Sequence, residues 1–215
     1  MKQNQKSICW GLCMLVVFVV WTVLLRFVDV GSIGPNGSLV GFAVVNQWFH
    51  NLTGTHMTLY HITDWLGLVP VAVGFAFAIL GLVQWVRRRS IWKVDFSILL
   101  LGVFYLTVLG IYLLFETYVV NYRPVLIAGF LEASYPSSTT VLVMCVMPTA
   151  ILQLRARIRN NRLRKVLFAA INVFTAFMVV GRLLSGVHWL SDIVGGALLS
   201  AGLILLYHGI AFLNT

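Results

Sequence analysis

Three polar segments in an otherwise apolar chain carry side chains that could bind and attack an anion. The first, GRLLSGVHWLSD at 181–192, holds Arg182, His188 and Asp192. His188 and Asp192 are four residues apart and share a face wherever a helix has begun. A carboxylate that accepts the Nδ1 proton of a histidine fixes the tautomer and leaves Nε2 bare and nucleophilic. Arg182 offers a forked donor suited to phosphate or carboxylate. The same residues allow a plainer reading, in which Asp192 and Ser191 cap a helix and His188 lies at an interface. The second segment, YPSSTT at 135–140, reads as a helix start. Pro136 suits the entry, and Ser137, Ser138, Thr139 and Thr140 suit a cap. Unpaired N–H groups and the positive end of the helix dipole attract anions there, although an ordinary capped helix needs no ligand. The third segment, ETYVVNYRP at 116–124, contributes Glu116 and Arg123.

The elements that must position these residues are membrane helices. Of the 215 residues, 60% are hydrophobic and 10% charged, and mean hydropathy is +0.94. A soluble domain needs far more polar surface. Six apolar stretches reach the roughly 20 residues that a helix needs to cross a bilayer. They are predicted at about 8–28, 66–86, 96–115, 138–154, 166–184 and 190–213, in one domain over 1–215. Twelve of the fifteen Lys and Arg fall before the first span, between the second and third, or between the fourth and fifth. If the spans alternate, all twelve lie on one side, which the positive-inside rule makes cytoplasmic; both termini are then inside. The run RARIRNNRLRK at 155–165 is accordingly read as a topology signal that meets anionic lipid, not as a nucleic-acid patch. The first span has no small-residue cleavage site and is expected to be a retained anchor.

The loop at 29–65 is predicted to carry a short interfacial helix, about 40–60, with Val44, Val45, Trp48, Phe49 and Leu52 at helical spacing. His50, His56, His61 and Asp64 lie in the same loop, at spacings that fit no strong metal-ligand pattern. Cys9, Cys13 and Cys145 show no paired spacing. Arg26 is expected to pair locally with Asp29. Gly195, Gly196 and Ser200 give the sixth span a small-residue face for close helix packing. Arg123 and Arg182 lie at span ends, where ionisable groups are expensive and default to functional candidates.

The order and spacing of the three polar segments resemble the type 2 phosphatidic acid phosphatase superfamily. Its members carry Lys, six residues, Arg-Pro; then Pro-Ser-Gly-His or close variants; then Ser-Arg, five residues, His, three residues, Asp. Arg123-Pro124 matches the end of the first motif and Pro136-Ser137 the start of the second. Arg182, His188 and Asp192 match the third in full spacing. The resemblance implies an all-α integral membrane fold with six transmembrane helices and the site at the outer face. It implies that His188 attacks phosphorus to form a phosphohistidine while Asp192 orients it. Arg123 and Arg182 would hold the phosphate, and Ser137, Ser138 and Thr139, with the N–H groups that open the fourth span, would complete the cradle. No metal and no other cofactor is implied.

Four positions depart from the pattern. Gly181 and Ser138 stand at the usual Ser and Gly, which are mild changes. Glu116 stands at the first-motif Lys, where a carboxylate can repel phosphate, neutralise an arginine, meet a cationic headgroup or face water. Thr139 stands at the second-motif His, the residue that protonates the leaving group. General acid–base help contributes about 10²–10⁴-fold in rate. An alkoxide leaving group needs that proton, whereas phosphate leaving from a diphosphate is already a tolerable anion. The expected function is therefore hydrolysis of a membrane lipid phosphate or polyprenyl diphosphate, such as undecaprenyl diphosphate, in a plasma membrane, by analogy a bacterial cytoplasmic one. A lipid phosphotransferase and a non-catalytic lipid-phosphate binding protein are the alternatives on the same scaffold.

Overall fold

The computed structural model describes residues 2–212. Its helices are α1 (Lys2–Phe27), α2 (Ala43–Thr53), α3 (Met57–Leu66), α4 (Leu68–Arg88), α5 (Phe96–Thr117), α6 (Ser138–Arg157), α7 (Asn161–Leu184) and α8 (Leu190–Ala211). Six helical stretches are long and apolar enough to cross a membrane, with α3 and α4 joined as one. The protein is thus an all-α integral membrane protein. α6 and α8 form its buried centre, and most of the exposed large apolar side chains lie on the helices around them. An apolar exterior is what a lipid solvent demands, and helices keep every backbone polar group paired there.

Close helix approach rests on small residues. α1 lies along α8, where a Cβ on Gly202 would come 2.7 Å from Leu15 and one on Gly11 would come 2.9 Å from Leu206. Van der Waals packing at such seams substitutes for a hydrophobic driving force that lipid cannot provide. Two turns nearer the start of α8, a Cβ on Gly195 would come 2.4 Å from the Tyr135 ring. The small-residue face expected on this helix therefore receives the segment leading into α6.

Two connections build the site. Residues 118–137 fold back as a short hairpin: Tyr122 bridges Ala133, Arg123 N–H donates to Glu132 O at 3.1 Å, and Ser134 N–H donates to Asn121 O at 2.9 Å. This register sets Asn121 opposite Ser134 and Arg123 opposite Glu132. The turn between α7 and α8 passes through Gly186 at φ +68°, where a Cβ would sit 1.9 Å from the Gly54 carbonyl. Only glycine fits that left-handed, crowded position.

The predicted interfacial segment contains α2, with Val44, Val45, Trp48 and Leu52 exposed on one face. Its other face turns inward. Asn46, 1% exposed, donates from Nδ2 to Ser191 Oγ at 2.9 Å and accepts from Ser191 N at 3.1 Å. The expected Arg26–Asp29 pair does not form. Arg26 donates to the Val119 carbonyl at 2.6 Å, and Asp29 accepts from Val44 N–H at 2.8 Å, because left-handed backbone at Asp29 turns its carboxylate toward the start of α2.

Candidate active site

His188 precedes α8, so it does not share a helix turn with Asp192. Asp192 instead lies in the first turn and caps it by accepting from Trp189 N–H at 2.9 Å. The direct histidine–aspartate hydrogen bond expected from their spacing is absent, with Nδ1 and Oδ2 3.9 Å apart. Ser134 stands between them. Its hydroxyl donates to Asp192 Oδ2 at 2.5 Å and lies 3.0 Å from His188 Nδ1, and its carbonyl lies 3.1 Å from the same nitrogen. Asn121 Nδ2 donates to Asp192 Oδ1 at 3.3 Å. The fully buried carboxylate is thereby held by three donors, as a buried charge requires. Asp192 thus caps the helix and also holds the Ser134 hydroxyl that touches His188.

This network selects one imidazole tautomer. The Ser134 carbonyl can only accept, so Nδ1 carries the proton. Arg123 Nη1 can only donate and lies 3.3 Å from Nε2, so Nε2 presents a lone pair. Burial pushes the His188 pKa down to about 4; Asp192 pulls it up, and the Arg123 charge adds to the lowering. Neutral His188 with a bare Nε2 is the nucleophilic form.

The two arginines occupy different layers. Arg123 is 8% exposed and lies with Nε 3.0 Å from Glu132 Oε2, an ion pair whose direction leaves that N–H without a hydrogen bond. Arg182, 1% exposed, stacks its guanidinium 4.7 Å from the Tyr60 ring centre. Its Nη1 donates to the Tyr60 carbonyl at 3.3 Å and to Thr63 Oγ1 at 3.2 Å, and its Nη2 pairs with Asp64 at 3.3 Å. Arg182 Nε has no hydrogen-bond partner among the described residues. Arg123 also approaches the Tyr60 ring, at 6.0 Å. Asp64, weighed in sequence as a metal ligand beside His61, is thus the counter-ion of Arg182. Glu116, weighed as a partner for either arginine, pairs with neither; Glu132 and Asp64 hold those places.

The serine and threonine cluster divides. Ser137 is fully buried; its N–H donates to the Asp192 carbonyl at 3.2 Å and its Oγ accepts from Thr140 at 3.1 Å. It fastens α6 to α8 and presents no free N–H, because that donor is spent on the inter-helix bond. Ser138 and Thr139 do face open space. They line a cavity of about 840 Å³ together with His188, Ser134, Tyr112 and Glu116. The rest of its wall is mostly apolar and comes from α4, α5 and α6, including Phe75, Ala78, Leu106, Leu109 and Val146. It is a groove with one polar end, and both divergent residues sit at that end beside His188.

Sequence reasoning missed Ser134, Asn121, Glu132, Tyr60 and Thr63. Ser134 directly precedes a segment already singled out, and Glu132 is an acidic residue in an apolar chain; those were the available signals.

A comparison with curated proteins gives no match. Among solved structures, the chain is similar to a transmembrane PAP2-type phosphatidylglycerolphosphate phosphatase from Bacillus subtilis, at 18% identity, over 94% of each chain, with a TM-score of 0.53. At that identity the likeness establishes the shared fold. The model of the PAP2 superfamily matches residues 97–215, more than half of the chain and all three polar segments. The chain belongs to the PAP2 superfamily.

Proposed function

We propose that the protein is a phosphatase of membrane lipids that works through a phosphohistidine on His188. The observation that carries this reading is the buried, unprotonated Nε2 of His188, which faces Arg123 Nη1 at the polar end of an apolar groove bounded by transmembrane helices. A lipid phosphate has the same division: an anionic head for the polar end and a chain for the groove. Among the described residues, the buried Arg182 Nε–H has no hydrogen-bond acceptor, and the Arg123 Nε–H, 3.0 Å from Glu132 Oε2, is misaligned for a hydrogen bond to it. Donors left unpaired in that way are costly, and a phosphate would satisfy them. The N–H groups of Ser138 and Thr139, which open α6, add further donors on the groove wall. These dipoles and charges would stabilise the charge that builds on phosphorus during attack. With the basic loops inside, the site faces outward across the plasma membrane.

Thr139 decides which lipid. It lies on the wall where a general acid would serve the leaving group, and a hydroxyl serves that role poorly near neutral pH. The substrate is therefore a lipid diphosphate, whose leaving phosphate needs no proton. The Bacillus subtilis relative is a phosphatidylglycerolphosphate phosphatase, so monoesters are the comparison to make. Purified protein in nanodiscs should release phosphate from a polyprenyl diphosphate at least roughly tenfold faster than from phosphatidic acid or phosphatidylglycerol phosphate. His188→Ala should abolish release. Equal release by His188→Ala and the parent protein would remove His188 from the mechanism. Binding of the diphosphate without turnover by the parent would favour a non-catalytic binding protein.

A further inference from the structure

We propose that Ser134 is a positioning residue through which Asp192 acts on His188: its hydroxyl donates to the buried carboxylate and accepts the imidazole Nδ1–H. The inference rests on the phosphatase reading above. A serine hydroxyl has one hydrogen and two lone pairs, and both kinds of contact are made here. The hydrogen goes to Asp192 Oδ2 at 2.5 Å, the shortest contact of the cluster. A lone pair then faces His188 Nδ1 at 3.0 Å, sharing its proton with the Ser134 carbonyl at 3.1 Å. Asp192 cannot do this alone, since Oδ2 is 3.9 Å from Nδ1 and the carboxylate is pinned by Trp189 and Asn121.

The arrangement has a chemical consequence. When Nε2 attacks phosphorus, its lone pair becomes the N–P bond, the P–O bond to the leaving group breaks with its electron pair leaving on the departing oxygen, and the ring acquires positive charge while the Nδ1 proton stays in place. The countercharge for that cation lies beyond Ser134. A hydrogen-bond chain polarises along its length, so the carboxylate makes the serine oxygen a better acceptor. Ser134 neither gains nor loses a proton.

The test separates this role from a merely structural one. Ser134 ties the hairpin through its backbone N–H, so Ser134→Ala should keep the fold. Its kcat should fall roughly tenfold to a hundredfold, the range for losing one charge-assisted hydrogen bond, with KM nearly unchanged and thermal unfolding close to the parent. Ser134→Cys, a second and weaker acceptor, should recover part of the loss. Because Asp192 acts through Ser134, Ser134→Ala/Asp192→Asn should be no slower than Asp192→Asn alone. Losses that multiply would overturn the proposal. A readout independent of turnover is the Nδ1–H resonance of His188 in protein labelled with ¹⁵N-histidine. It should move in the same direction in Ser134→Ala and in Asp192→Asn. A resonance that responds to Asp192→Asn and ignores Ser134→Ala would overturn the proposal, as would an Nε2–H tautomer in the parent protein. If no lipid phosphate is hydrolysed, the phosphatase reading falls and the resonance still decides what Ser134 does.

Discussion

At the residue scale, two side chains set the chemistry, one by its state and one by its identity. His188 is kept neutral by burial, with a pKa near 4 where a free imidazole has 6.5. The acid limb of kcat/KM should therefore fall near pH 4, and a limb near 6.5 in a pH–rate profile would contradict the buried site. The same shift bears on stability. Between pH 6.5 and about 4 the unfolded chain holds a proton on His188 that the folded protein does not. Stability should thus decline as pH falls through that window and level off below it, and His188→Asn should flatten the slope. Thr139 is the identity. Thr139→His would return an acid–base group to the groove wall and should raise phosphate release from monoesters by at least roughly tenfold relative to diphosphates. An unchanged ratio would show that the leaving group is protonated from elsewhere. The Arg182–His188–Asp192 motif was legible in sequence because its spacing is local. Ser134, Asn121 and Asp64 were not: they reach His188, Asp192 and Arg182 across 54, 71 and 118 residues, and only tertiary folding makes those distances short.

At the element scale, the site depends on a glycine in α8. Tyr135 is fitted against Gly195 and orients the segment from which Ser134 reaches His188. Gly195→Ala would drive a methyl into that ring, a cost of roughly 1–3 kcal/mol for overpacking, and should lower both thermal stability in detergent and activity. Gly110→Ala in α5 meets nothing within 4 Å. It should be neutral or stabilise by roughly 0.5–1 kcal/mol, as replacing a helical glycine does. The two variants together separate crowding from helix propensity. The helices themselves were legible from hydropathy because a bilayer sets their length. The break at Gly67, which divides α3 from α4, was not. Nor was the hairpin at 118–137, whose few bridges have no sequence period to announce them.

At the scale of the whole molecule, the groove joins the polar end at His188 to a mostly apolar wall of transmembrane helices. Ala78 lies along that wall. Ala78→Trp should raise KM for long-chain substrates several-fold while leaving short-chain analogues little affected, as measured on a chain-length series. Loss of activity on all chain lengths would mean that the groove is structural. The six spans conveyed the general plan, since their length and apolarity follow from the physics of one solvent. Which helices touch did not follow, because α1, the first helix of the described chain, packs on α8, the last, and Asn4 donates to the carbonyl of Phe212. That pairing puts a clock on biogenesis. α1 enters the membrane with its glycine seam bare and must wait there until α8 has been synthesised. Nascent chains stalled before α8 carry that seam unmatched.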